Sequence, residues 1–191
     1  MTDKYRPPCQ DDIQNPARRR VIQTLLVTGA ALAVPALQAS VRRVPERSLE
    51  FRNLHTGEML RTAYWVEGRY LQDELNKVNQ VLRDHRSGEV HPMDKRLLDL
   101  LYVLQQTTGT RGAFHIISGY RSPQTNQKLR AQSSGVAKRS LHMQGRAVDI
   151  RLPGCELKHL RDAALSLKAG GVGFYARSDF IHVDTGRVRR W

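Results

Sequence analysis

The stretch Ser140-Leu-His-Met-Gln-Gly-Arg-Ala-Val-Asp149 places His142 seven residues before Asp149, in a loop that leads into an extended segment. Farther along, Phe180-Ile-His-Val-Asp184 places His182 in a second extended segment. Two imidazoles and one carboxylate form a donor set that suits a catalytic zinc ion with one coordination position open for water. The sequence therefore predicts a hydrolytic metal centre with His142, Asp149 and His182 as its ligands.

Both segments alternate between apolar and polar residues, as strands with one buried face do. The apolar set that would face the core comprises Val148, Ile150, Leu152, Ile181 and Val183. If the two strands are neighbours in one antiparallel sheet, Asp149 and His182 project together from the opposite surface. Gly145 allows the preceding loop to turn sharply, which would bring His142 over the same place.

The pattern of the remaining chain predicts an α+β fold. A hairpin is expected over residues 49–66, because two β-rich runs flank a Thr-Gly turn. Leucine and valine at helical spacing predict two amphipathic helices before residue 113. The later elements are a strand over 113–117, a helix that begins near Pro123, a strand over 144–152, a helix over 156–169 closed by Gly170–Gly173, and a final strand from Phe180.

The N-terminus is typical of an export signal. Arg18-Arg19-Arg20 precedes an uncharged segment, Val21–Ser40, that is rich in Ala, Leu and Val. This order of basic residues, apolar run and small residues indicates a signal of the twin-arginine type over residues 1–39, cleaved after Ala39. It predicts a periplasmic protein, with residues 40–48 as a linker. The alternative is an uncleaved anchor in the inner membrane, with the catalytic domain facing the periplasm.

The chain is strongly basic. Its 31 Lys and Arg against 18 Asp and Glu give a formal charge of +13. Residues 1–39 contain five basic and three acidic residues, so the remaining 26 basic and 15 acidic residues leave +11. Such a charge attracts polyanions. Export argues against nucleic acid as the partner and favours the anionic bacterial envelope, with membrane contact only through an uncleaved leader.

The spacing Ser140-x-His142-x-x-Gly145-x-Ala147-x-Asp149, together with Ser118-Gly-Tyr-Arg-Ser122 and Phe180-x-His182-x-Asp184, resembles the zinc D-alanyl-D-alanine-type peptidases of the M15 class. Within that class it is most similar to the murein endopeptidase subfamily. Further similarity lies at Asn53–Glu58, Gly135–Lys138, Ala169–Gly173 and Asp184–Trp191, so the likeness covers nearly all of the chain after the leader.

The resemblance implies a Hedgehog/D-Ala-D-Ala peptidase-like fold over residues 49–191, with a small antiparallel sheet and flanking helices. It also implies a zinc cofactor held by His142, Asp149 and His182, and hydrolysis of peptide cross-links in peptidoglycan during wall growth and remodelling. The alternative function is a non-catalytic peptidoglycan-binding module that retains the peptidase fold.

The resemblance also implies roles for two further residues. Arg121 becomes the cation that binds substrate and stabilises the tetrahedral oxyanion, which suits its charge and its place at a strand exit. The alternative is a solvated surface arginine. Ser140 would orient the substrate, or it would cap or hydrogen-bond its own loop. Tyr175 and Trp191 are equally consistent with lining the cleft and with packing.

The general base has two candidates, one on each side of His182. Many M15 enzymes have an acid three residues before the last histidine ligand, and Asp179 occupies that position, although the endopeptidase subfamily does not keep the acid. Asp184 lies two residues after His182 on the same strand face, so it could act as the base or hold the histidine ring. We favour Asp179 as the base.

Overall fold

The computed structural model of the protein describes residues 44–133 and 135–191. The predicted leader, residues 1–39, and the start of the predicted linker lie outside the described residues. Within the described part, no helix is long and apolar enough to cross a membrane.

The described residues form one sheet and four α-helices, so the predicted α+β class is confirmed. The strands are β1 (Glu46–Asn53), β2 (Met59–Val66), β3 (Arg69–Tyr70), β4 (Phe114–Ser118), β5 (Ala147–Arg151), β6 (Gly171–Tyr175), β7 (Phe180–Asp184) and β8 (Arg189–Arg190), and the helices are α1 (Gln72–Val81), α2 (Lys95–Thr108), α3 (Pro123–Gln132) and α4 (Leu157–Ser166).

The sheet is larger and more varied than the small antiparallel sheet that the resemblance implied. The described strands follow the order β3-β2-β1-β4-β5-β7-β6-β8. The β1–β4 and β6–β8 pairs are parallel, whereas the other pairs are antiparallel. The β1–β4 pair can be parallel because the connection between the two strands, which contains β2, β3, α1 and α2, is long enough for a crossover. The expectation of a purely antiparallel sheet is therefore wrong.

The predicted hairpin is present as β1 and β2, which pair antiparallel with Leu49 opposite Thr62. The first strand begins at Glu46, so residues 46–48 belong to the sheet rather than to the linker. Leu49 and Phe51 point into the core, where they meet buried leucines of α1 and α2. Burial of this face, and not the turn alone, holds the hairpin in register.

The helices begin and end at recognisable caps. The Asp94 side chain accepts a hydrogen bond from the Arg96 amide at the start of α2, and Gly109 ends that helix at φ +65°. Ser122 caps α3, with Pro123 in its first turn as predicted. Apolar residues of α1, α2 and α4 share one core with the inward faces of the central strands. The opposite face of those strands is left for polar side chains.

The Gly170–Gly173 segment is a strand and not merely the end of a helix. Helix α4 ends at Ser166, and β6 then runs from Gly171 to Tyr175 beside β7. Gly173 is required by close packing, because a Cβ there would lie 2.7 Å from the indole of Trp191. The sequence pattern missed this strand because glycine usually weakens strands unless a close approach demands it.

Candidate active site

The two predicted ligand strands are neighbours. Strands β5 and β7 pair antiparallel, and Asp149 lies directly opposite His182 in the register. His142 comes from a short 3-10 helix, Leu141–Gln144, which ends at Gly145 with φ +63°. A side chain at Gly145 would also clash with the Pro92 carbonyl, since its Cβ would lie 2.3 Å from that oxygen. The turn therefore delivers His142 to the face that carries Asp149 and His182.

The three side chains converge on one point and are all buried. Asp149 Oδ1 lies 2.9 Å from His182 Nδ1 and 3.3 Å from His142 Nε2, and the two nitrogens are 3.1 Å apart. A tetrahedral zinc ion with bonds of about 2.0–2.1 Å would hold neighbouring ligand atoms about 3.3 Å apart. The spacing of these atoms is therefore close to what such an ion needs.

The outer nitrogens determine which atoms face the shared point. His142 Nδ1 lies 2.8 Å from the Gly119 carbonyl oxygen, which can only accept a hydrogen bond, so Nδ1 is the donor. His182 Nε2 lies 3.0 Å from Asp184 Oδ2 and donates to that carboxylate. When the two rings are neutral, each inner nitrogen would therefore present a lone pair, as metal-binding histidines require. Two lone pairs and a carboxylate oxygen directed at one point fit a divalent cation.

Charge in the cluster is strongly coupled. Burial alone would raise the pKa of Asp149, but the adjacent His142 and His182 lower it well below its usual range. Burial lowers the pKa of His182, yet its hydrogen bonds to Asp149 and Asp184 raise it further, so the net shift is upward. The site thus keeps Asp149 ionised, which is the form that binds a metal.

Asp184 holds the far side of the His182 ring. Its side chain is 0% exposed and also accepts hydrogen bonds from the Gly171 and Gly186 amides at 2.9 and 2.8 Å. Both Arg189 Nη atoms contact it, at 3.1 and 2.6 Å. Burial would raise the pKa of Asp184, but these partners lower it well below its usual range. Its oxygens are engaged, so this geometry suits the ring-holding role better than the base role.

Asp179 is not brought together with the cluster. It follows the 3-10 turn Ala176–Ser178 at φ +52°, immediately before β7. Its side chain is 60% exposed, and its carboxylate forms an ion pair of 2.8 Å with Arg151 Nη1. Among the described residues that line the cleft, Asp149 is the one with a carboxylate, and Asp179 is not in this lining. The prediction that Asp179 is the general base stays a prediction, and it would require this carboxylate to leave Arg151.

Arg121 lies beside the cluster, and its side chain is only 12% exposed rather than fully solvated. Its amide donates to the His142 carbonyl at 3.2 Å, which ties the exit of β4 to the ligand loop. Its guanidinium has long contacts of 3.4 Å to Ser118 Oγ and 3.5 Å to Asn126 Oδ1, and it lies 3.9 Å from Asp149 Oδ2. Its buried Nε has no hydrogen-bond partner among the described residues. Burial lowers the pKa of Arg121, although a guanidinium remains charged.

The cluster lies at the floor of a cleft of about 490 Å³. Ser140 lines this cleft, and its hydroxyl does not cap the short helix that follows it. Residues of the loop that leads to Ser140, including Arg139, also line the cleft, as do three aromatic side chains. They are Tyr175, Phe180 and Trp191.

The sequence analysis missed Arg189 and the Gly119 carbonyl. Arg189 is recognisable only once Asp184 is known to be buried and to need a cation. The Gly119 contact is made by backbone, which carries no residue-specific signal. The Gly119 carbonyl orients the His142 ring, and Arg189 holds Asp184, which contacts the His182 ring.

Comparison with known proteins gives consistent matches. The family model Peptidase_M15_2, described as peptidoglycan L,D-endopeptidase MepK, matches residues 42–191. The chain is 44% identical over 177 residues to the peptidoglycan L,D-endopeptidase MepK of Escherichia coli strain K12, covering 92% of this chain and 97% of that protein. It is 42% identical over 172 residues to the probable peptidoglycan L,D-endopeptidase MepK of Haemophilus influenzae, covering 87% and 92%. No solved structure matches in the same comparison.

Proposed function

We propose that this chain, which belongs to the Peptidase_M15_2 family of peptidoglycan L,D-endopeptidases, uses a zinc ion to hydrolyse peptide cross-links of peptidoglycan. The zinc ion would be held by His142, Asp149 and His182. Its identity to the named relatives over most of the chain supports a peptidase rather than a non-catalytic wall-binding module. Beyond peptidase activity, we propose the identity of the metal and its ligands, the Hedgehog/D-Ala-D-Ala peptidase-like fold, and export.

The observation that carries the metal assignment is the convergence of three donor atoms within 3.3 Å of one another, with both outer histidine nitrogens already engaged as donors. A set of two nitrogens and one oxygen is typical of catalytic zinc, which leaves a position for water or substrate. Zinc at this position would supply Lewis acidity, which activates water near neutral pH and polarises a carbonyl.

The protein side chains would do the remaining work. The Arg121 guanidinium, largely shielded from solvent and held only by long contacts, would donate hydrogen bonds to the oxygen that gains negative charge as the carbonyl is attacked. Its burial strengthens that interaction, because little water competes for the charge. Ser140 lines the cleft, and its hydroxyl would hydrogen-bond the peptide backbone of the substrate.

Asp184 would hold the His182 ring by accepting a hydrogen bond from Nε2–H, which keeps the proton on Nε2 and leaves Nδ1 available to the metal. Asp179 remains the candidate that would take a proton from water and pass it to the leaving amine. In the observed arrangement its carboxylate is held by Arg151, so the two residues must be tested as a pair.

The enzyme would act in the periplasm after twin-arginine-type export, with an inner-membrane anchor as the alternative. The support is the basic and apolar order of residues 1–39, which lie outside the described residues. Peptidoglycan is then the accessible anionic polymer, which suits the formal charge of +11 that remains when the five basic and three acidic residues of 1–39 are removed. Replacing Arg18, Arg19 and Arg20 with lysine should retain the precursor in the cytoplasm, as measured by cell fractionation.

The direct test is incubation of the purified protein with defined cross-linked muropeptide dimers, followed by mass spectrometry of the products. We expect loss of dimers that stops with a chelator and returns with Zn²⁺. The products also identify the bond, which joins either D-alanine to a diamino acid or two diamino acids. His142→Ala should lose both stoichiometric zinc and activity. If the protein carried stoichiometric zinc and still left the dimers uncleaved, the proposal would be contradicted.

A further inference from the structure

One wall of the cleft is aromatic, although neither metal binding nor proton transfer requires this. Tyr175 and Phe180 stack with ring centroids 4.6 Å apart. The Trp191 Nε1–H donates to Tyr175 Oη at 2.9 Å, and the Trp191 ring lies 5.2 Å from the His182 ring. We call Tyr175, Phe180 and Trp191 the aromatic wall. It reaches from the rim of the cleft to a candidate metal ligand.

Several contacts hold Trp191 in place. Its amide donates to the Val172 carbonyl at 3.2 Å, and its own carbonyl accepts from the Phe174 amide at 3.0 Å. Gly173 has no side chain and so leaves room for the indole. The Arg189 guanidinium lies 4.8 Å from the centroid of the indole ring. The indole is thus pre-organised, which limits the conformational entropy lost when a ligand binds.

The aromatic wall is nevertheless left open. Trp191 is 51% exposed and Tyr175 is 37% exposed, and both line the cleft. A rigid aromatic surface next to reactive groups is typical of a binding surface, because it offers a large apolar area at little entropic cost. Packing alone does not explain a tryptophan held by so many contacts with half of its surface exposed.

The cleft is also lined by guanidinium groups. Arg121 and the exposed Arg139 line it together with Arg189, which lies against the Trp191 ring. A cleft lined by both aromatic rings and guanidinium groups is complementary to a residue with a methylene chain and carboxylate groups. The diamino acid of a peptidoglycan cross-link has this composition, whereas D-alanine has a single methyl group.

We propose that the aromatic wall, chiefly Trp191 and Tyr175, is a binding subsite for the aliphatic stem of the cross-link's diamino acid. This inference rests on the proposed function and adds to it a residue-level basis for substrate recognition. The methylene groups would lie against the indole face, and a carboxylate of the same residue would face one of the guanidinium groups that line the cleft.

The first test separates binding from catalysis with muropeptide dimers. We expect Trp191→Ala to raise KM about tenfold while kcat changes less than about threefold, because it removes contact area and no reacting group. Trp191→Phe keeps an aromatic face and should recover most of the affinity. Val188→Ala is the matched control, since Val188 is 61% exposed on the same segment and is not among the cleft-lining residues described. Zinc content and melting temperature should match those of the control.

The second test detects contact directly. The chain has two tryptophans, so Trp65→Phe leaves Trp191 as the only fluorophore of this type. Titration with a monomeric tripeptide muropeptide, which has a diamino acid but no cross-link to cleave, should give a saturable change in Trp191 emission. A dipeptide muropeptide, which lacks the diamino acid, should give none. The Trp191→Phe variant should be silent with both.

Two results would overturn the inference while leaving the proposed function intact: an active wild type whose KM is unchanged in Trp191→Ala, or equal emission changes with both muropeptides. The second result would mean that the wall contacts sugar or the first peptide residues. Failure of the proposed function is separate, because the wild type itself would then leave dimers intact. Loss of zinc in Trp191→Ala would also count against the inference, since it would assign Trp191 a structural role.

Discussion

The two ends of β7 each have an aspartate, and the two carboxylates have opposite environments. Asp179, just before the strand, has a side chain that is 60% exposed and is paired with Arg151. Asp184, at the other end, is fully buried and has the His182 ring, Arg189 and two backbone amides as partners. Distance along the chain from His182 does not distinguish them, but burial and satisfied hydrogen bonds do. The comparison shows that the acid behind the ring, and not the acid before the strand, is built into the site.

Metal removal tests whether the Asp184 end supports a metal centre at all. Dialysis against a chelator should lower kcat/KM on muropeptide dimers by roughly 1,000-fold or more, since the metal supplies several kcal/mol of transition-state stabilisation. Adding Zn²⁺ back should restore the rate. Activity that survives with no bound zinc would break the comparison, because Asp184 would then have no ligand ring to hold in place.

Stability should separate the two aspartates clearly. Asp184→Ala removes one partner of a buried ion pair and leaves two amides without acceptors, so it should lower the free energy of unfolding by about 3–5 kcal/mol. Asp179→Ala removes an exposed ion pair and should cost at most about 1 kcal/mol. Urea denaturation of both variants measures this difference. Equal losses would show that the environments of the two carboxylates are more alike than the structure indicates.

Zinc affinity also distinguishes Asp184 from Asp179, and it can be tested with substitutions that keep the shape of the side chain. Asp184→Asn keeps the size of the side chain but weakens the hydrogen bond that orients His182, so zinc affinity should fall by about 10- to 100-fold. Asp179→Asn should leave the affinity unchanged. Competition with a chelating dye gives both dissociation constants. A decrease in Asp179→Asn alone would reverse our assignment of the two acids.

Catalysis by Asp179 is the strongest challenge to the comparison. If its carboxylate acts only as the partner of Arg151, Asp179→Asn and Arg151→Gln should each lower kcat/KM by less than about tenfold. A general base would instead cost about 100- to 10,000-fold in Asp179→Asn. If activity in Arg151→Gln is then retained or raised, the ion pair restrains a catalytic base. Steady-state kinetics of the two single variants distinguishes these cases.

The smallest expected effect concerns exposed charge. Arg177 lies in the turn before Asp179 and belongs to the basic surface. Binding to purified sacculi should weaken severalfold between about 0.05 M and 1 M salt, because exposed charges are screened over a few ångströms at high salt. The stability difference at the buried Asp184 should change little over the same range. Salt-independent binding to sacculi would contradict the proposed electrostatic attraction.

Local pattern accounts for much of the fold. Alternation in the segments around Asp149 and His182 predicted two strands with a shared polar face, and Pro123 placed the start of α3. At Gly170–Gly173 the local pattern predicted only a helix end, because the need for glycine there comes from Asp184 and Trp191, which are distant in sequence.

The sequence by itself determined the donor set, the side of each strand on which the donors lie, and the family to which the chain belongs. These are local properties, set by residue identity and the two-residue period of a strand. Only the tertiary structure decided that Asp149 lies opposite His182, that Asp184 is buried behind the ring, and that Asp179 turns outward to Arg151. Strand register, burial and ion pairing depend on contacts between segments far apart in the chain, so no local pattern contains them.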